Sequence, residues 1–133
     1  MTPPIATALY AGLNALILAW LILLVVRRRG AARVSLGDGG DAELGRLIRG
    51  HANAAETMPM GLILLALAEL LGAPGVAVHG AGAVFTLGRL LHALHFAGRG
   101  GMRFRAVGMA LTLTATMLLA LGLIAHALVR IAA

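Results

Sequence analysis

Apolar residues fall along the chain in four long blocks separated by polar or glycine-rich breaks, and each block is about the length that crosses a bilayer as a helix, roughly 20 residues. The first covers 5–26, opened by Pro3 and Pro4 and closed by Arg27, Arg28 and Arg29. Its positive charges follow the apolar core, the reverse of a secretory signal peptide, so a retained helix is expected. From Gly30 to Asp41 the sequence turns polar and glycine-rich, which predicts a loop. Asp41 stands where an N-cap would start the next helix, with Glu43 in its first turn. The second block covers 42–71 and ends at Gly72, Ala73 and Pro74. The third, 76–97, is broken by the run from Gly98 to Gly101. The fourth covers 104–129 and carries only His126 as an ionisable group between Ala106 and Val129. No internal repeat and no low-complexity linker is visible, so residues 1–133 are expected to form one membrane domain.

Composition agrees with this pattern. Hydrophobic residues make up 60% of the chain and charged residues 12%, about half the roughly 25% usual in a water-soluble domain, so the bilayer is the expected solvent. With no cysteine, disulfides, thiolate metal sites and a cysteine nucleophile are excluded, and any sulfur chemistry must come from a ligand. All 11 Lys/Arg cations are arginines, and their placement predicts topology. The first loop and its flanks hold Arg27, Arg28, Arg29, Arg33, Arg46 and Arg49, and the third holds Arg99, Arg103 and Arg105. The second loop holds none and the termini only Arg130. Short arginine-rich loops stay cytoplasmic, so both termini are expected to face outward. No nucleic-acid partner is expected.

The second block opens with chemistry that hydrocarbon does not tolerate. On a helix Arg49, Asn53 and Glu56 are spaced i, i+4, i+7 and form one stripe, which Arg46 extends. Such charges cost roughly 2.5–3.5 kcal/mol each at a helix centre on insertion scales, so the stripe is expected to face the bundle interior, a subunit interface or water. Arg89, His92 and Phe96 form a second stripe on the third block at i, i+3, i+7. Spacing alone leaves two readings of the first stripe open. One is an intramembrane ion pair, Arg49 with Glu56 or Arg46 with Glu43, that orients helices. The other is a site for a charged small ligand: guanidiniums grip carboxylates, a carboxylate accepts from an ammonium, and asparagine does both. His92 and His95 are expected to be hydrogen-bonded packing residues rather than metal ligands, Glu69 a capping or snorkelling carboxylate, and the arginine triplet chiefly a topogenic signal. Arg103, at the start of the fourth helix beside a glycine hinge, is placed either as one more topogenic charge or to reach a ligand held between helices.

The segment Arg49-Gly50-His51-Ala52-Asn53-Ala54-Ala55-Glu56-Thr57-Met58-Pro59, followed by Ala68-Glu69-Leu70-Leu71-Gly72, resembles the MAPEG family, the membrane-associated proteins in eicosanoid and glutathione metabolism. Gly88-Arg89-Leu90-Leu91-His92, leading on to Arg103, resembles the family's third-helix motif and the arginine that follows it. The resemblance covers essentially the whole chain and implies an all-α integral membrane four-helix bundle, assembled as a homotrimer in a bacterial inner membrane. Glutathione would bind as co-substrate between subunits near the cytoplasmic side, and no metal is implied. By the same resemblance Arg49, Asn53 and Glu56 hold the peptide, His51 takes a position that is glutamine in some members, and Arg89 and His92 help line the cleft. Arg103 corresponds to the arginine that stabilises the glutathione thiolate, and one of Arg27, Arg28 and Arg29 matches a further family position. The implied activity is that of a membrane glutathione transferase or peroxidase acting on lipophilic electrophiles or hydroperoxides. The alternative is a non-catalytic binding or interaction module on the same scaffold. Thr57, His92 and Phe96 depart from the leukotriene-synthase-like members, and Tyr10 is the chain's single tyrosine, so eicosanoid synthesis is not implied.

Overall fold

A computed structural model describes residues 3–132, which form four α-helices: α1 (Ile5–Ala32), α2 (Ala42–Leu70), α3 (Gly75–Phe96) and α4 (Met102–Ala132). The first helix outlasts its apolar block. Arginine and alanine are good helix formers, so the coil continues through Arg27–Arg29 and Gly30 and stops only where Arg33 adopts a left-handed conformation, φ 55. The predicted loop therefore begins later than the polar sequence does.

Asp41 caps α2 as expected, its carboxylate accepting from the Leu44 N–H at 2.8 Å. The same carboxylate receives Arg28 at 2.6 Å, and Arg28 also reaches Glu43 at 3.1 Å, so one guanidinium ties the end of α1 to the start of α2. The hydrogen bond from Arg28, and then the one from the Leu44 N–H, hold the Asp41 carboxyl below its ordinary range. A carboxyl depressed in the folded state contributes stability above its unfolded pKa, near 3.9, and loses it as pH falls through the lower folded value. Amide exchange at Leu44, taken relative to the intrinsic rate at each pH, is therefore expected to rise on acidification below about pH 4. Asp41→Asn should flatten that rise, and an unchanged profile in the variant would contradict the assignment.

At the opposite end Glu69 of α2 accepts from the backbone N–H groups of Ala6 and Thr7, at 2.9 and 2.7 Å, and from the Thr7 hydroxyl at 2.7 Å. It caps α1 from a neighbouring helix and satisfies donors that the first turn leaves over. This is the capping role expected of it.

In the bundle α2 and α3 are central, and α1 and α4 each pack against both of them. The backbones of α3 and α4 approach closely at Gly88 and Gly108. A methyl on Gly88 would lie 2.8 Å from the Gly108 carbonyl oxygen, and one on Gly108 would lie 2.7 Å from the Gly88 carbonyl oxygen. Close backbone approach of this kind is how membrane helices pack where no hydrophobic force drives them together. The interior holds an apolar core around Leu21, Leu65 and Phe85 but also takes in polar groups, while many large apolar side chains face outward. Thr7, Asn14, Arg89, His92 and Thr112 are buried, whereas Leu9, Leu16, Leu118, Leu121 and Leu128 are exposed. The chain is thus an all-helical integral membrane protein. Of its helices α1 and α4 are long and apolar enough to cross a bilayer by composition alone. The others, with 29 and 22 residues, have the length but carry the polar stripes.

Candidate functional site

The stripe on α2 opens onto a cavity of about 400 Å³ between α2, α3 and α4. Gly45, Arg46, Arg49, Ala52, Asn53 and Glu56 line it from α2, His92 and Phe96 from α3, and Arg105 and Met109 from α4. The volume lies within the range of small-molecule sites. The two polar stripes read from spacing do converge, and the third wall comes from the helix that crosses α3 at Gly88 and Gly108.

The ion-pair reading of the α2 stripe finds no support in this geometry. Among the described residues Glu43 pairs with Arg28, and neither Arg46, Arg49 nor Glu56 has an ion-pair partner. Three guanidiniums, from Arg46, Arg49 and Arg105, therefore share one cavity with a single carboxylate, Glu56, and none of these charges is ion-paired among the described residues. Arg105 is held over the Phe96 ring, its Cζ 5.8 Å from the ring centroid, a cation–π arrangement that keeps the guanidinium at the wall.

Below the cavity floor lies Arg89, fully buried. One terminal nitrogen donates to Asn53 Oδ1 at 2.9 Å and lies 3.3 Å from His92 Nδ1. Its Nε and other terminal nitrogen are buried without a partner. Arg89 thus supports two lining side chains rather than lining the cavity itself. The His92 ring also packs against Phe96, centroids 4.9 Å apart. His95 faces elsewhere: its Nδ1 lies 3.2 and 3.1 Å from the Gly100 and Gly101 carbonyls and ties α3 to the following turn.

The candidates from sequence divide accordingly. Arg49, Asn53, Glu56 and His92 line the cavity, with Arg89 directly behind. His51 is half-buried and outside the lining, and Arg103 is exposed and outside it. The arginine of α4 that enters is Arg105, alongside Met109. Positions 103 and 105 are about 200° apart on a helix, whereas Arg105, Gly108, Met109 and Thr112 share the face turned to α3. That periodicity, anchored on the glycine that must touch α3, is the signal by which Arg105 was findable.

The sequence model of the MAPEG family matches residues 7–125. The chain is also 43% identical over 115 residues to the inner membrane protein YecN of Escherichia coli strain K12, covering 86% of this chain and 87% of that protein. The YecN of Escherichia coli O6:H1 matches to the same extent.

Proposed function

Given that the chain belongs to the MAPEG family, we propose that it binds glutathione in the α2–α3–α4 cavity and activates the thiol for attack on lipophilic electrophiles or hydroperoxides. The observation that carries this reading is the set of unspent charges. At neutral pH glutathione bears two carboxylates and one ammonium, and the cavity offers Arg46, Arg49 and Arg105 against Glu56. The residues present fit the ligand in sign and number.

Carboxylates of the peptide would take the guanidiniums, whose forked donors suit planar oxygens, and the ammonium would take Glu56. A remaining cation beside the sulfur favours the thiolate over a thiol of pKa about 8.5. Lowering that pKa by two units requires about 2.7 kcal/mol of differential stabilisation, within reach of one desolvated guanidinium. Arg105 has the position for this role in a single subunit, while Arg103 would act there only across a subunit boundary. The sulfur then displaces a leaving group from carbon, forming a thioether and releasing the thiol proton to water. With a second glutathione as the other thiol, it reduces a hydroperoxide to alcohol and water as the disulfide forms.

Arg46, Arg49 and Glu56 are exposed in the isolated chain, and contact of such charges with lipid would be costly. We therefore place a neighbouring subunit over this wall, in a homotrimer of the inner membrane, the compartment named for the YecN relatives. A second reading, a non-catalytic binding module, is favoured by Phe96 and Met109, which leave that part of the lining without a hydroxyl for the thiol.

Conjugation of a chromogenic electrophile by detergent-purified protein separates the readings. Wild type is expected to turn over, Arg105→Ala to lose about a hundredfold in kcat/KM (roughly 2.7 kcal/mol), and Arg103→Ala to lose little. An inert wild type that still binds glutathione would establish the binding module, and the reverse ranking of the two variants would return the catalytic role to Arg103.

A further inference from the structure

The buried guanidinium of Arg89 fixes more than the packing of α3. Arginine has donors only and stays charged, so any group hydrogen-bonded to it must accept. The terminal nitrogen of Arg89 contacts Asn53 Oδ1 at 2.9 Å and His92 Nδ1 at 3.3 Å. Both acceptors belong to side chains that line the cavity, and Arg89 itself has no exposed surface. With Oδ1 turned to Arg89, the Asn53 amide presents its NH2 to the cavity. His92, using Nδ1 as acceptor, must carry its proton on Nε2, the one polar atom of the ring still unengaged.

We infer that Arg89 is a positioning residue that sets the His92 tautomer and the Asn53 amide orientation, turning both side chains into donors toward the cavity. The polar side chains of Arg46, Arg49, Asn53, His92 and Arg105 then present donors to the cavity, against the carboxylate of Glu56. Such a wall selects ligands rich in carboxylates and rejects analogues in which a carboxylate has become an amide, because an amide NH2 facing Asn53 or His92 would oppose donor to donor. The inference deepens the glutathione reading by saying which ligand groups face Asn53 and His92, and the selectivity part rests on that reading. The tautomer part does not.

His95 supplies an internal reference. Its Nδ1 faces the carbonyls of Gly100 and Gly101, which only accept, so its proton belongs on Nδ1. Two histidines on one helix are thus assigned opposite tautomers by their partners.

The test is nitrogen NMR on detergent-solubilised protein labelled at histidine with nitrogen-15, without any ligand, at pH 7.5. Signals are assigned through His92→Gln and His95→Gln. His92 is expected as the Nε2–H tautomer and His95 as the Nδ1–H tautomer. Arg89→Met is expected to convert His92 to a mixture of tautomers. Arg89→Lys, which keeps a cation with donors, is the variant to use if the methionine variant does not fold, and it should preserve the wild-type signal. An Nδ1–H or doubly protonated His92 in wild type, or a His92 signal indifferent to loss of the donor, would overturn the proposal whatever the ligand proves to be. A second arm uses Asn53→Asp, which retains an acceptor for Arg89 but offers the cavity no donor. Its Tm should equal or exceed that of wild type while glutathione affinity falls at least tenfold. Affinity equal to wild type would refute the selectivity part alone.

Discussion

Gly88→Ala should disable the protein although it adds a single methyl group. The new carbon would sit 2.8 Å from the Gly108 carbonyl oxygen, the Thr112 N–H nitrogen and the Thr112 hydroxyl, and two of these three atoms are backbone that no rotamer can move. Overpacking typically costs 1–3 kcal/mol, and a clash with backbone belongs at the upper end, about 3 kcal/mol. For a chain of this size that corresponds to a fall in Tm on the order of 10 °C. Relief requires α4 to move off α3, which carries Arg105 and Met109 away from His92 and Phe96, so glutathione-dependent activity should be lost with the stability. Gly80→Ala, on the same helix with nothing within 4 Å of the added carbon, is the control and should be near neutral. Similar Tm values for the two variants would show that the α3–α4 crossing is not the contact that shapes the site.

Glu56→Gln is expected to separate binding from folding. Glu56 is the cavity's single carboxylate and has no ion-pair partner among the described residues. Neutralising it removes a charged acceptor for the ligand's ammonium, worth about 2 kcal/mol, or roughly thirtyfold in affinity. Stability should hold or rise slightly, since an unpaired carboxylate at membrane depth is a cost rather than a support. Had Glu56 served as the partner of Arg49, the same change would lower Tm and binding together. Parallel loss of both, measured by thermal unfolding and by glutathione titration of one preparation, would restore the ion-pair reading.

How much of this was legible in the sequence depends on which force placed each residue. The four helices follow from blocks of lipid-compatible residues, and hydropathy located them without help from tertiary structure. The end of α1 was not visible this way, because Arg27–Arg29 are charged yet helix-compatible and Ala31 and Ala32 favour helix, and the pairing of Arg28 with Asp41 across the loop is a contact between elements that no local pattern announces. The Arg49, Asn53 and Glu56 stripe was readable because its period is that of the helix carrying it. Arg105 was not singled out, since proximity to the loop drew attention to Arg103, while the rotation of α4 is set by Gly88 against Gly108, a close approach between helices. Arg89 was placed in the cleft by resemblance. Its actual position behind Asn53 and His92 depends on burial that spacing does not report.

The central claim is that the charges gathered between α2, α3 and α4 form a glutathione site, and its most direct test is ligand-dependent thermal stabilisation of the purified protein. Binding at 100 times the dissociation constant adds about 2.7 kcal/mol to the folded state, a shift readily resolved in Tm. Wild type is expected to show this shift at millimolar glutathione, and a variant carrying Arg49→Ala, Glu56→Gln and Arg105→Ala together is expected to show none. No shift in wild type, or an equal shift in the triple variant, would contradict the claim.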